Sequence, residues 1–327
     1  MNEFLSTRGN ELVDPGLHVW HGEVAAYLFL GGLVAGVMVL SGILLLRGGG
    51  SGEGRSKALS LLPWAAPVLL SLGMFFLWLD LENPWNAFRF YLVLRPTSVM
   101  SWGAWILLAI YPASILLAWR ASPVALRETG FDLAGRLGGR VLHGVETVDA
   151  WVDAHTRAIA AAGILLGAGL GVYTGLLLGT MAARPLWNSA ILGPLFLTSG
   201  LSTGAAFMLL HGLGPGERRW LGRVDMGLIA AELVLIGIWL VGLNTGGAAS
   251  REAAALFLGG PYTAAFWTLV VALGLVTPLA GEWLEARHRI PPGRVAAVLV
   301  LIGGFALRWI LVYAGQHSAW VDQVALR

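Results

Sequence analysis

Eight long apolar segments constrain this chain more than any other feature of its sequence. An α-helix needs about 20 apolar residues to cross about 30 Å of hydrocarbon. Segments of this kind occupy residues 24–46, 59–79, 99–119, 158–183, 186–210, 226–243, 262–279 and 295–315. Only 12% of the 327 residues are charged, whereas about 25% is usual in a soluble domain. The sequence therefore predicts an all-α integral membrane protein with eight transmembrane helices.

The arginine and lysine residues are distributed unevenly between the two sides of these helices. The loops after helices 1, 3, 5 and 7 carry fourteen of them. The opposite side carries six, namely Arg8, Arg89, Arg95, Arg184, Arg251 and Arg327. Cationic loops stay in the cytoplasm, so both termini are predicted to face the periplasm. We expect a multi-pass protein of the bacterial inner (cytoplasmic) membrane.

The longest loop, residues 120–157, lies on the predicted cytoplasmic side. It reads as a polar, partly amphipathic helix at the membrane surface, with its apolar positions at Val141, Leu142, Val145, Val148 and Trp151.

A stripe of glycine residues runs along the fourth apolar segment. Its members recur at every fourth position, at Gly163, Gly167, Gly171, Gly175 and Gly179. Lipid provides no hydrophobic drive between helices, so small residues at this spacing permit close backbone contact. A period of four drifts about 40° per step on a helix with 3.6 residues per turn. The stripe is therefore expected to wind round the helix, with Tyr173 pointing away from it.

Several redox chemistries are excluded by the composition. The chain has no cysteine, so it can hold no iron–sulfur cluster on thiolates. A membrane haem needs axial histidines well inside facing helices. All seven histidines lie at helix ends or in loops, which predicts a haem-free protein. Electrons must then be exchanged with a cofactor held elsewhere or with a diffusible carrier.

Polar groups collect toward the predicted periplasmic face. Glu23 lies at the start of helix 1, with Tyr27 one turn deeper and His21 just outside the helix. Asp80 lies at the end of helix 2 on the same side. Tyr173 is about 24 Å into helix 4, at 1.5 Å per residue from the basic residues at its start. A buried phenol at this depth is expected to have a polar partner, such as the headgroup of a quinone. Interfacial charges and aromatic residues of an ordinary membrane belt remain the alternative.

Arg308 lies in the outer half of helix 8. It is fourteen residues beyond Arg294, which corresponds to about 21 Å at 1.5 Å per residue. The side chain could take part in a site at this depth, or it could extend outward past Val312 to reach water.

Three further polar residues lie toward the cytoplasmic side. Glu232 is in the middle of helix 6, Asp225 is seven residues earlier on the same face, and His211 is at the end of helix 5. Ionisable groups inside a span cost at least about 2.5–3.5 kcal/mol and are functional candidates by default. A proton path from the cytoplasm is one interpretation, and a structural hydrogen bond between helices is the other.

The chain also resembles a known family, the NrfD/polysulfide-reductase membrane subunits. The resemblance rests on residues 22–36, on 95–105, on Arg-Pro-Leu-Trp-Asn at 184–188 with 196–206, and on 307–309 with 314–316. It implies a haem-free, quinone-reactive subunit built from two four-helix bundles, here residues 1–183 and 184–327. It also implies a periplasmic four-cluster iron–sulfur subunit docked on the outer face, often with a molybdopterin-containing catalytic subunit.

The resemblance assigns roles to the candidate residues. Tyr173 precedes the Arg-Pro-Leu-Trp-Asn turn at the spacing of the family's quinone-contacting tyrosine, and Glu23 and Tyr27 lie near the polar quinone ligands of its first helix. We expect Glu23, Tyr173 and Asp80 to act on a menaquinone or other quinone. Contacts to the cofactor are predicted for Tyr27, His21, Arg308 and Asn188. Glu232, Asp225 and His211 are the proton-path candidates.

The residues alone are also consistent with two other classes of function. A secondary transporter would use Glu232 and Arg308 as substrate or proton sites, and broken helices at corresponding positions of two halves would favour it. A passive membrane anchor for a peripheral enzyme is the third possibility. No nucleic-acid partner or metal site is predicted. The sequence does not identify the substrate of an attached enzyme.

Overall fold

Eight membrane-spanning helices form the structure, as the sequence predicts. The computed structural model describes residues 20–48, 56–81, 83–181, 183–289, 291 and 293–318. Within them, spans 1 to 8 are Gly22–Arg47, Ala58–Asp80, Val99–Ala121, Thr156–Gly179, Leu192–Leu209, Pro215–Thr245, Thr263–Ala286 and Val295–His317. The described part of the chain contains no β-strand. Of the charges counted above, Arg8, Arg55 and Arg327 lie outside the described residues.

Successive spans run in opposite directions, which gives the molecule two ends. We call the end with Arg47, Arg120 and Arg218 the arginine-rich end, and the end with His21, Asp80 and His317 the His21 end. The predicted topology places the arginine-rich end in the cytoplasm.

The starts of two helices differ markedly from the sequence prediction. Span 5 begins at Leu192 rather than at residue 186, because the chain first completes a turn at 184–188. Span 6 begins at Pro215 rather than at residue 226. Proline at the first helical position and Glu217 bonded back to the cap start the helix within polar residues. Hydropathy marks only the apolar part, so three arginines that the sequence assigns to a loop belong to the first turns of span 6.

The Glu217 carboxylate connects the beginnings of two spans at the arginine-rich end. It accepts hydrogen bonds from the backbone N–H of Gly214 at 2.8 Å, and from the N–H and hydroxyl of Ser56 at 3.0 and 2.6 Å. The Ser56 hydroxyl oxygen in turn accepts from the N–H of Leu59 at 3.2 Å, at the start of span 2. One carboxylate thus satisfies groups that would otherwise be unpaired at two helix N-termini.

Span 1 is the central helix, and it contacts spans 2, 4, 5 and 8. Its contact with span 5 is made through backbone. A Cβ on Gly36 would lie 2.9 Å from Cα of Gly204, and a Cβ on Gly200 would lie 3.1 Å from Cα of Gly32. Only glycine permits this approach, which replaces the missing hydrophobic drive with dense packing.

The glycine stripe of span 4 winds round the helix as predicted and meets three neighbours in turn. A Cβ on Gly163 would lie 3.0 Å from Leu117 of span 3, and one on Gly167 would lie 3.0 Å from the carbonyl of Ala35 in span 1. A Cβ on Gly171 would lie 2.7 Å from the side chain of Leu197 in span 5. Span 4 is therefore held on three sides through its small residues.

Residues 120–157 form two helices rather than one, Val124–Leu137 and Gly139–Ala154. They are joined at Gly138, whose φ of 132° lies in the region that favours glycine. Arg127 of the first helix forms ion pairs with Asp149 and, at 3.0 Å, with Asp153 of the second. The Trp119 indole of span 3 also donates to Asp149 at 2.8 Å, which fixes the helix pair to the transmembrane part.

The turn after span 4 fastens the last helix at the His21 end. Arg184 is buried, and its guanidinium donates to the backbone carbonyl of Gln316 at 3.0 Å. The Trp187 indole donates to the carbonyl of Leu311 at 2.8 Å. The Gln316 side chain then exchanges two hydrogen bonds with the backbone of Trp20, at 3.0 and 2.9 Å. The start of span 1 and the end of span 8 are thereby held together.

Span 7 contains an irregular segment that the sequence does not reveal. Phe266–Val276 is a π-helix that runs into the α-helix Thr277–Ala286. Pro278 has no N–H to donate four residues back, which favours a local change in hydrogen bonding. Span 2 contains a 3₁₀ turn, Leu62–Trp64. These irregular turns are not at corresponding positions of the first and last four spans.

A substitution at the contact between spans 1 and 5 tests the packing argument. Gly36→Ala is expected to lower the free energy of unfolding by about 1–3 kcal/mol, because the added methyl meets backbone that has no room to move. Gly237→Ala is the matched control, since a Cβ there meets nothing within 4 Å. Thermal unfolding of both variants in detergent compares the two. Equal melting temperatures would contradict a tight contact between these helices.

Candidate functional site

An apolar cavity opens among spans 1, 2, 3 and 4, in the half of the molecule nearest the His21 end. It has a volume of ≈ 390 Å³. Its lining is mostly aliphatic and aromatic, and it includes three phenols, those of Tyr27, Tyr91 and Tyr173. Tyr91 belongs to the short helix Arg89–Leu92, which follows span 2 and covers the cavity. The two tyrosines predicted from their depth therefore face one space.

Tyr173 reaches the cavity because span 3 has a glycine opposite it. The phenol ring lies directly against Gly103, where a Cβ would overlap the ring and its oxygen. Tyr173 is only 7% exposed, and it faces span 3, whereas the neighbouring glycines of the stripe, Gly171 and Gly175, face span 5. Gly103 lies in the segment 95–105 that carries the family resemblance, but the sequence gives no sign that it seats the phenol.

The three phenol hydroxyls have no hydrogen-bond partner among the residues that the structure describes. Ser71 of the lining is paired instead with Tyr111 of span 3, which lies outside the lining, at 3.2 Å. Burial, together with the neighbouring Tyr111, raises the pKa of Tyr91, which lies outside the spans. The Tyr91 phenol therefore keeps its proton near neutral pH and is available as a donor. Unpaired donors in an apolar cavity are the groups that orient a bound molecule.

A cluster of ionisable side chains stands above the cavity at the His21 end. Ligand atoms of His21, Glu23 and Asp80 all lie within 4.8 Å of one another. His21 Nδ1 is 4.0 Å from Asp80 Oδ1, and the His21 side chain is 71% exposed whereas that of Asp80 is 14% exposed. Glu23 is one helical turn from Tyr27 on span 1. The cluster thus brings three ionisable groups together at the water-exposed end of the two spans that carry Tyr27 and much of the cavity lining.

Arg308 does not line this cavity. It is completely buried on the other side of span 1, against Gly32. Its guanidinium donates to the Ser199 hydroxyl at 2.9 Å and to the carbonyls of Gly304 and Phe196 at 2.8 and 3.3 Å. The side chain therefore stays within the protein and does not extend outward to water. Its predicted contact with a cofactor finds no support in this position.

Asn188 is also distant from the cavity lining. It is exposed, and its backbone N–H donates to the carbonyl of Arg184 at 3.1 Å within the turn. The described contacts of this turn are structural, because they fix the ends of spans 1 and 8.

A second polar cluster is buried among spans 5 to 8. Asp225 Oδ1 accepts a hydrogen bond from the Ser202 hydroxyl at 2.6 Å. One turn along span 5, Ser199 interacts with Glu232 as well as with Arg308. Asp225 and Glu232 therefore each interact with a serine of the neighbouring helix, on successive turns. In the sequence, the two serines stand out only as part of the family-like segment 196–206.

His211 stands apart from this cluster. It is exposed at the end of span 5, and its Nδ1 lies 2.9 Å from the carbonyl of Phe207 in its own helix. A different residue joins the cluster, Glu282 of span 7, whose side chain is adjacent to Asp225. The predicted seventh segment ends at residue 279, which leaves Glu282 in a loop. Among the described residues, no hydrogen bond connects this cluster with the phenol-lined cavity.

These features define a multi-pass membrane protein with one apolar, phenol-lined site. The model of the family polysulphide reductase, NrfD, matches residues 11–319. A polysulfide reductase chain of Wolinella succinogenes is 31% identical over 315 residues, 91% of this chain and 94% of that protein. Protein NrfD of Escherichia coli is 30% identical over 312 residues, with 91% and 95% covered. The chain belongs to the NrfD/polysulphide reductase family.

More distant relatives carry the names of other reductases. A selenate reductase subunit of Mesobacillus selenatarsenatis is 25% identical in an alignment of 331 positions that covers 93% of this chain and 76% of that protein.

The seating of Tyr173 can be tested by a double-mutant cycle. Gly103→Ala alone is expected to cost about 1–3 kcal/mol of unfolding free energy, because the methyl displaces the phenol ring. In a Tyr173→Ala background the same change should cost much less, since the ring has been removed. Unfolding in detergent measures all four proteins, with Gly169→Ala in span 4 as a control that meets nothing within 4 Å. Additive effects would show that the two residues do not touch.

Proposed function

We propose that this chain is the haem-free membrane subunit of a multi-subunit oxidoreductase of the bacterial inner membrane. It exchanges electrons between a quinone in the phenol-lined cavity and an iron–sulfur partner docked at the His21 end, on the periplasmic side. One observation carries the proposal. Three unpaired phenol hydroxyls converge on an apolar cavity in a chain of this family.

The cavity has the size and chemistry that a quinone headgroup requires. Sites for small organic molecules typically measure about 300–1,000 Å³ and are apolar with a few placed polar groups, and this one is ≈ 390 Å³. Phe75 of span 2 and Met100 of span 3 belong to its lining and are 51% and 57% exposed. Both lie on the surface that would face lipid, so an isoprenoid tail can extend into the bilayer between spans 2 and 3.

The residues of the chain have separate tasks in this reaction. A quinone supplies the ability to take up two electrons and two protons and to release them again as quinol. Tyr173 and Tyr27 donate hydrogen bonds that fix the headgroup oxygens, and Tyr91 closes the cavity. Glu23 and Asp80 pass protons between the edge of the cavity and water, with exposed His21 as the outermost group. Such positioned acid–base groups typically contribute about 10²–10⁴-fold.

Electrons have to leave the chain, because no cysteine is available to bind a cluster. The names of the relatives support a complex with further subunits, since two of them are named as one chain or one subunit of a reductase. Purification of the chain with its natural partners tests the proposal directly. We expect an iron–sulfur protein and menaquinone to accompany it. A chain that purifies alone and without quinone would instead favour a transporter, and one with a partner but no quinone would favour a passive anchor.

A conservative change tests the role of the phenol. Tyr173→Phe removes one hydrogen bond of about 0.5–1.5 kcal/mol, so turnover with limiting quinol is expected to fall roughly 2- to 10-fold. Tyr313→Phe is the control, because Tyr313 is in span 8 and outside the cavity. Quinol oxidation by the intact complex in membranes is the measurement. If the rate is unchanged, the phenol serves only for packing.

Proton translocation is a second candidate function, and the buried cluster among spans 5 to 8 favours it. Ser202 bonds to Asp225 near the arginine-rich end, and one turn further along span 5 Ser199 interacts with Glu232 and the buried Arg308. Groups of this kind inside a span are costly and commonly serve proton relays. A structural network between helices is the alternative, and it predicts a loss of stability without a change in proton movement.

The Glu232→Gln variant separates these two alternatives. We expect quinol oxidation by the reconstituted complex to continue while proton uptake per electron falls markedly, because the amide cannot carry a proton. Glu252→Gln, at an exposed position outside the spans, is the control. Proteoliposomes with an internal pH dye report the ratio of protons to electrons. An unchanged ratio together with a lower melting temperature would assign Glu232 to structure.

A further inference from the structure

A small cavity opens among spans 5 to 8 at the arginine-rich end. Its volume is ≈ 140 Å³, and its polar lining includes Arg218, Arg219, Arg223, Glu285, His288 and, as the most buried of these groups, Glu282. We call it the vestibule. It is separate from the phenol-lined cavity, and the reaction proposed above makes no use of it. The space is polar and large enough to hold water molecules.

Glu282 is a buried carboxyl at the edge of this vestibule without a well-aligned partner. It is only 7% exposed, and neither of its oxygens has a hydrogen bond to a described residue. Its side chain is adjacent to that of Asp225, within range of a hydrogen bond between the two carboxyls. Asp225 is fully buried, and its Oδ2 is also unpartnered, whereas Oδ1 is held by Ser202.

The nearest cationic side chain is already engaged elsewhere. The Arg218 guanidinium donates to Glu285 at 3.0 Å and to the carbonyls of Leu209 and Gly293 at 3.2 and 2.6 Å. It therefore neutralises Glu285, three residues from Glu282 on the same helix. Neither Asp225 nor Glu282 forms an ion pair within the described part of the chain. Two adjacent carboxylates with no ion pair of their own cannot both stay charged in a medium of low dielectric constant.

We infer that Asp225 and Glu282 share a single proton and together form a proton-binding site at the inner edge of the vestibule. The protonated carboxyl donates its O–H to the other carboxylate, which satisfies oxygens that are otherwise unpaired. The proton comes from vestibule water, and Ser202 connects the site to the buried cluster. The groups that face the pair are Arg218 from span 6, Glu285 from span 7 and Ser202 from span 5, with Arg219, Arg223 and His288 at the mouth.

The shared proton is a property of the resting protein. The further role of the site, as the point where protons pass from the vestibule toward Glu232, rests on the proton translocation proposed above. The two parts are tested by separate measurements.

Carbodiimide labelling of the purified complex tests the shared proton. Dicyclohexylcarbodiimide reacts with protonated carboxyls in apolar surroundings and leaves a stable adduct that peptide mass spectrometry locates. We expect an adduct on Glu282 or Asp225 near neutral pH, and none on Glu285, whose charge is held by Arg218. Asp225→Asn should remove the label from Glu282, because the amide donates to the carboxylate and keeps it charged. Equal labelling of Glu282 and Glu285 would overturn the inference.

Infrared spectroscopy covers the case in which the reagent does not reach the site. A protonated carboxyl has a carbonyl band that Glu282→Gln and Asp225→Asn should each remove, while Glu285→Gln leaves it unchanged. Absence of both the adduct and the band would show that the pair holds no proton. Neither measurement requires quinone turnover, so the result stands even if the proposed reaction fails.

Proton uptake by proteoliposomes then tests the pathway. Glu282→Gln is expected to lower the ratio of protons to electrons as Glu232→Gln does, whereas Glu282→Asp, which retains a carboxyl, should restore part of it. A normal ratio in Glu282→Gln, with the label and the band lost, would show a shared proton that lies off the pathway. Lack of quinol oxidation in the unmodified complex would instead contradict the proposed function.

Discussion

Close backbone contact around span 1 is the constraint on which the rest of this structure depends. In lipid, apolar side chains gain nothing by leaving the solvent, so the helices are held by packing and by a few polar bonds. Gly32 and Gly36 bring span 1 against span 5, and Gly167 brings span 4 against span 1. These contacts fix the rotation of each helix, and the rotation decides which polar side chains meet.

Two polar systems result, one on each side of span 1. On one side, Tyr27 and Tyr173 face an apolar cavity with unpaired hydroxyls. On the other side, Arg308 fills the space beside Gly32 and bonds to Ser199. The same central helix thus separates a site suited to a lipid-soluble carrier from a buried polar cluster. No direct hydrogen bond joins the two systems in the described residues.

How accurate each sequence prediction was depended on the physical property on which it was based. Apolar length depends on the thickness of the bilayer, so all eight spans were found. Helix boundaries were predicted less accurately where a helix extends into polar residues. Span 6 begins in this way at Pro215, and the last turns of span 7 contain the charged residue Glu282. Hydropathy cannot detect such turns. The π-helix of span 7 and the break at Gly138, which divides the 120–157 segment into two helices, were missed for the related reason that periodicity does not report local hydrogen bonding.

The candidate site was predicted only in part. Depth along the helix placed Tyr27, Tyr173 and Glu23 in one half of the membrane. Depth along span 8 placed Arg308 in the same half of the membrane. In the structure, Arg308 lies on the side of span 1 opposite to the cavity. Tyr91 was not predicted, because it belongs to a loop helix whose position depends on the spans beneath it.

The sequence by itself determined that this is an eight-span membrane protein, that its glycines form packing surfaces, and that cysteine-based redox chemistry is excluded. These conclusions need only composition and spacing along one helix. The tertiary structure decided that the phenols share a cavity, that Gly103 seats Tyr173, and that Glu282 stands beside Asp225. Spacing gives the position of a side chain along and around its own helix. The direction that it faces in the protein depends on contacts with neighbouring helices, which no single segment contains.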